Sequence, residues 1–162
     1  MKNLSFIAIL AFAMIFTVDA TAQKFSGLDK SPMDMASYPN DYKISNKTVR
    51  VIYSRPQLKG RSLAELAPAG KVWRTGANEA AEIQFYTDAT FGGKDIKAGI
   101  YSLFTVPGNG EWTVILNKNL NQWGAYSYEE GADVARVKVP SKADGSSLEE
   151  FSITKNMQSI SS

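Results

Sequence analysis

Two short runs of β-branched and aromatic residues, Ile100 to Val106 and Trp112 to Leu116, are separated by Pro107-Gly108-Asn109-Gly110, and this arrangement constrains the chain more than any other. Proline presets one turn dihedral and lacks an amide donor, while Gly and Asn tolerate positive φ. The four residues therefore reverse the chain, and the two runs pair as an antiparallel hairpin. Three more stretches share this character. Thr48 to Ser54 is a strand stopped at Arg55-Pro56; Glu82 to Asp88 alternates apolar and polar before a turn at Gly92-Gly93; Asp133 to Val139 alternates with one solvated face. Phe151 to Thr154 begins another strand. Helix is expected at one place, Ser62 to Ala67, where Ser62 as N-cap and Glu65 three residues on form a capping box and Pro68 and Gly70 stop the turn. Five to seven short strands with at most one short helix predict a mainly β chain, a single antiparallel β-sandwich or partly open barrel.

The N-terminus reads differently. Met1-Lys2-Asn3 is a short positive start, Leu4 to Val18 an apolar run, and Ala20-Thr21-Ala22 a small-x-small site before Gln23. We read residues 1–22 as a signal peptide cleaved between Ala22 and Gln23, because about 15 apolar residues fall short of the roughly 20 of a spanning helix. No Cys follows the run to carry a lipid, so the expectation is an exported protein, periplasmic or secreted, soluble after cleavage and without stable membrane insertion. Residues 23–46 hold Ser31-Pro32, Tyr38-Pro39 and Asn40-Asp41 and sustain neither period, a leader expected to wrap the domain surface. The β domain then spans residues 47–155, and 156–162 form a polar tail.

Composition removes whole classes of chemistry. The chain has no His and no Cys, so His-based triads, cysteine nucleophiles, disulfides and the usual zinc and copper ligands are absent. Its 18 basic and 16 acidic residues leave a formal charge of +2, which argues for no nucleic-acid partner. Gly92-Gly93 lacks the Lys and helix start of a phosphate-binding loop. Glu129, Glu130 and Asp133 lack the alternate spacing of a calcium loop and read as a solvated turn. No cofactor, no metal and no catalytic residue is assigned.

Polar residues beside aromatics remain. Arg55, Arg74, Thr75, Asn78 and Glu79 flank strands, where loops carry function on a rigid scaffold, and Asn117, Lys118, Gln122, Trp123 and Tyr126 form a second set. Planar rings cover apolar faces while fixed amide, guanidinium and carboxylate groups meet hydroxyls, a combination suited to a small polar ligand or glycan. The opposing reading is structural: Arg74 and Glu79 as a buried or half-buried pair holding their loop, and Trp73, Trp112 and Trp123 as core. A third is a hydrolase built on two of Glu79, Glu82, Asp88, Glu111, Glu129, Glu130 and Asp133. Glu79 and Glu82, three apart, would share a face on a helix but oppose each other on a strand. A purely structural or protein-interaction module stays open beside these. Oligomeric state is not legible.

Several unusual words stand in order: Tyr53-Ser54-Arg55-Pro56 with Lys59-Gly60-Arg61, Gly70 to Ala80, Lys97 to Thr105 with Pro107, Trp112 to Ile115 with Asn117-Lys118, and Gln122 to Tyr126. Together they resemble domain of unknown function 2911, over about Ser31 to Thr154. The resemblance implies a secreted or periplasmic protein of Bacteroidetes-type bacteria and brings no activity with it. Two departures stand out. Pro68-Ala69 sits where the family usually places an aromatic after the proline, and the chain ends where the family usually continues into another tryptophan-bearing strand, which implies a truncated or altered C-terminus.

Overall fold

The computed structural model describes residues 24–154. The expected signal peptide, its expected cleavage site at Ala22 and Gln23, and the polar tail lie outside the described residues. Eight strands are present among the described residues: β1 Met33–Tyr38, β2 Val49–Ser54, β3 Ala81–Phe85, β4 Ala89–Phe91, β5 Lys94–Ile96, β6 Gly99–Val106, β7 Glu111–Asn117 and β8 Asp133–Pro140. Six of them form one antiparallel sheet in the order β1-β2-β3-β6-β7-β8, and β4 and β5 form a separate hairpin. The described chain is thus mainly β, sandwich-like and not closed into a barrel. Its single α-helix among the described residues, α1 Leu63–Leu66, carries the expected box: the Ser62 side chain accepts from the Glu65 amide while Glu65 accepts from the Ser62 amide at 2.6 Å.

The two hairpin turns fall where the sequence puts them. Residues 107–110 join β6 to β7, and Gly92 and Gly93, with φ of 57° and 81°, join β4 to β5. Both central residues of that two-residue turn need positive φ, which glycine adopts without steric cost.

Strand alternation divides the sheet's side chains between two faces. On the first, Tyr53, Ala81, Ile83, Phe85, Leu103, Leu116 and Ala135 form the larger core, covered by Ile96 of the hairpin and by Phe151 and Ile153. On the second, Phe104 and Ile115 pack with Ala80 beneath Val72, Ala125 and Tyr128. Phe104, Ile115 and Leu116 are fully buried, each contributing about 1.5–3 kcal/mol by leaving water. The second face is covered at that end only. Toward the β1 side, Met33, Met35, Ile52 and Ile100 remain exposed.

Two expectations are corrected. The leader does more than wrap the surface: Met33 to Tyr38 forms edge strand β1, in register with β2 from Met33↔Ser54 to Tyr38↔Val49. Its sequence, MDMASY, is poor in β-branched residues, and the pairing is supplied by β2. The strand expected from Phe151 does not form. A lone bridge joins Gln57 to Glu150, and the ladder stops there because Pro56 has no amide and the Arg55 amide is already donated to Pro32 at 3.0 Å. Side chains take over instead, with Tyr53 accepting from the Ile153 amide at 3.0 Å and Arg55 Nε donating to the Phe151 carbonyl at 3.1 Å.

Candidate functional site

The site grows from an interruption of the sheet. Trp73 pairs with Thr105 of β6 through both backbone hydrogen bonds, 2.7 and 2.9 Å. The chain then leaves the sheet and returns at Ala81, which pairs with Leu103, two residues back along β6. The Ala81 amide donates to the Arg74 carbonyl at 3.0 Å and closes the excursion at its neck. Thr75 and Asn78, with φ of 54° and 60°, are its turning points. Residues 78–80 pair in turn with 122–124: Ala80 N donates to Gln122 O at 2.8 Å, Gly124 N donates to Asn78 O at 2.9 Å, and Glu79 and Trp123 form an isolated bridge. Backbone hydrogen bonds therefore hold the excursion and the β7–β8 connection against each other.

That small ladder brings Glu79 and Trp123 together in one groove. It has a volume of about 440 Å³, is floored by Tyr53, Ser54 and Ala80, and is walled by Met33, Ile52, Glu79, Glu82, Asn121 and Trp123. Trp123 is 61% exposed whereas Trp73 is 6% exposed. Trp73 packs edge-on against Phe151 and Trp112, with ring centroids 5.1 and 6.4 Å apart. Trp73 is core; the structural reading fails for Trp123, whose indole faces solvent at the groove. Glu82 Oε1 accepts from the Asn121 amide at 3.1 Å, which anchors one carboxylate while orienting the 121–124 segment. Glu79 and Glu82 share the groove despite their spacing, because β3 begins only at Ala81 and its alternation does not extend back to Glu79.

The other predicted residues go elsewhere. Arg74 lines a separate groove of about 340 Å³ with Lys71, Trp73 and Tyr126. Its guanidinium lies 5.6 Å from the Tyr126 ring centroid and donates to Asn78 O at 3.1 Å. The expected Arg74–Glu79 ion pair is not formed among the described residues; Arg74 ties the loop through a carbonyl instead. The Asn78 side chain turns to the leader and, after the Ser31 amide, helps hold the Asp29 carboxyl below its ordinary range. Thr75 is buried, its hydroxyl 3.2 Å from Thr105 Oγ1. The Gln122 side chain donates to Leu120 O at 3.1 Å.

Arg55 sits at the other side of β2's end, with Nη1 on Asp34 at 3.2 Å, Nη2 on Ser152 Oγ at 2.8 Å and Glu150 at 3.4 Å. Its donors are consumed in tying β1 and residues 150–152 to the end of β2. Asn117, 1% exposed, donates to Glu129 O and Asp133 Oδ1 and accepts from the Asn119 amide, so it braces the connection after β7. Lys118 is exposed beside it. Asp133 also accepts from Tyr128 at 2.6 Å and from Arg136 at 2.8 Å; burial first, and then this bond, push the Tyr128 phenol above its usual 10.0. The acids after Tyr128 thus belong in part to a satisfied network rather than to a merely solvated turn.

Of the ten residues singled out from sequence, Glu79 and Trp123 alone line the larger groove. Met33, Ile52 and Asn121 were missed as site residues and Glu82 was read only as a candidate acid. Met33 reaches the groove through the pairing Met33↔Ser54, and Glu82 through Ile52↔Glu82, cross-strand registers that no local pattern signals. The positive φ of Asn121, 57°, was the one locally readable cue, since Asn tolerates that conformation.

The family model described as Protein of unknown function (DUF2911) matches residues 31–161. No curated protein and no solved structure matches the chain.

Proposed function

Starting from a chain that belongs to the DUF2911 family, we propose that this protein is exported by its N-terminal signal and binds a small polar ligand or glycan at the cell envelope, without chemistry, in the groove walled by Trp123. The observation that carries this reading is the exposed indole of Trp123. A large aromatic ring held by backbone pairing at the rim of a groove, rather than folded into the core, is a rigid apolar platform of the kind sugars stack on, and Glu79 and Glu82 beside it accept hydrogen bonds from hydroxyls. The test is a thermal-shift screen of the protein against sugars and cell-wall fragments, because a ligand that binds only the folded state raises the melting point. A shift that disappears in Trp123→Ala, with the unliganded melting point kept, supports the groove. A well-folded protein that no sugar stabilises overturns the reading in favour of a partner-binding module.

A second reading has one observation behind it: two carboxylates, Glu79 and Glu82, line the same groove, the minimum set for glycoside hydrolysis. Turnover of a chromogenic glycoside that vanishes in Glu79→Gln or Glu82→Gln would establish it over simple binding.

A further inference from the structure

Resting on the reading of the Trp123 groove as a ligand site, we propose that its ligand is a small organic cation, an amino sugar or other amine that joins an ammonium group to an apolar face. Nine residues line the groove and only two are charged, Glu79 and Glu82, both acidic. Neither forms an ion pair among the described residues, where Asp34, Asp88, Glu111, Glu130, Asp133 and Glu150 all do. Three arginines of the flanking segments are committed elsewhere. Arg74 is engaged with Tyr126 and Asn78 in the separate groove, Arg55 is bound by Asp34, Phe151, Ser152 and Glu150, and Arg50 donates to Gln84 and stands over the Tyr86 ring. Two carboxylates in a concave site with apolar walls focus negative potential there, and nothing in the lining opposes it.

The apolar half of the site argues in the same direction. The face of an indole attracts a cation through its ring quadrupole, most strongly for Trp among the aromatic side chains, and Met33 and Ile52 supply surface for the body of the ligand. A metal ion is a poorer match. Two carboxylates fall short of the six to eight oxygens that calcium takes, and no group of three or more metal-ligating side chains exists among the described residues. A neutral sugar would use the indole and leave both charges without a counter-charge. An ammonium group uses all three.

The test is a Trp fluorescence titration of the protein with glucosamine, N-acetylglucosamine and glucose at low salt, with Trp123→Phe to assign the signal. Glucosamine is expected to bind about tenfold more tightly than its neutral N-acetyl counterpart, a preference that added salt erodes as it screens the partly exposed charges. Glu79→Gln/Glu82→Gln together should bring glucosamine down to the neutral sugars' level. Gln keeps an acceptor for the Asn121 amide, and an unchanged melting curve shows that the variant folds. Equal binding of the neutral and cationic sugars overturns the inference of a cation and leaves the polar-ligand reading standing. Binding of none of the three, none of a quaternary amine such as choline and none of the cell-wall fragments overturns both.

Discussion

The two sides of the chain at the end of β2 show what the same residue types do in different company. Around Arg55, a guanidinium, carboxylates and aromatics close on themselves: every nitrogen of Arg55 has a protein acceptor, and Phe151 packs edge-on to Tyr53 with centroids 5.6 Å apart. Around Trp123, on the face that Ile52 and Ser54 share, an indole and two carboxylates are offered outward. The first is a knot that holds the C-terminal segment on the domain. The second is a surface held open by backbone hydrogen bonds between residues 78–80 and 122–124. Exposure and unspent hydrogen-bonding capacity separate a site from a tie; residue type does not.

The contrast breaks most visibly at its tryptophans. Trp73→Ala removes a buried ring from between Phe151 and Trp112 and is expected to cost about 3–5 kcal/mol of stability, read by thermal or denaturant unfolding. An effect below roughly 1 kcal/mol would mean that Trp73 is not a packing centre. Next in size is the knot. Arg55→Ala takes one donor from each of the Asp34 carboxylate, the Phe151 carbonyl and Ser152, at a cost of about 1–3 kcal/mol moderated by its partial exposure, and it should make the 149–154 segment the first target of limited proteolysis. An unchanged cleavage pattern would show that Phe151 and Ile153 dock unaided.

Asn117→Ala belongs with the knot, although the sequence alone places its side chain among the candidate ligand groups. Three hydrogen bonds are lost at a fully buried position, so about 1–3 kcal/mol is expected in unfolding, together with weaker ligand binding, since the connection it braces carries Trp123. Tyr128, in the same network, gives a pH signature. Its phenol titrates higher folded than unfolded, so the neutral form stabilises the fold fully below pH 10.0 and that contribution is lost as pH rises beyond it. The melting point should fall more steeply above pH 10.0 in the parent protein than in Tyr128→Phe; parallel curves would remove Tyr128 from the linkage. Smallest on stability is Trp123→Ala, within about 0.5 kcal/mol, yet it should abolish any ligand-induced shift. A large loss of stability there would make Trp123 part of the core and dissolve the comparison.

Much of the scaffold was legible because its signals are local. The capping box at Ser62 and Glu65, the turn at Pro107 to Gly110, the two glycines of the β4–β5 turn and the period of β8 each depend on a few adjacent residues, and each is found as read. Strand β1 was not, since MDMASY has weak strand character and becomes an edge strand only because β2 offers it a ladder. The Arg74–Glu79 tie failed for a related reason: the pairing of residues 78–80 with 122–124 sends Glu79 to one groove and leaves Arg74 in another, and that pairing joins segments more than forty positions apart.

By itself, then, the sequence determined a mainly β chain with its hairpins, its one cap and a composition that excludes histidine and cysteine chemistry, because turn preference, capping and alternation act over a few residues. Tertiary structure alone decided which polar residues face a groove. The excursion between Trp73 and Ala81, the register Ile52↔Glu82 and the outward turn of Trp123 come from contacts between distant segments. Until those contacts form, Trp73 and Trp123 are chemically identical residues, and only the packing around each makes one core and the other surface.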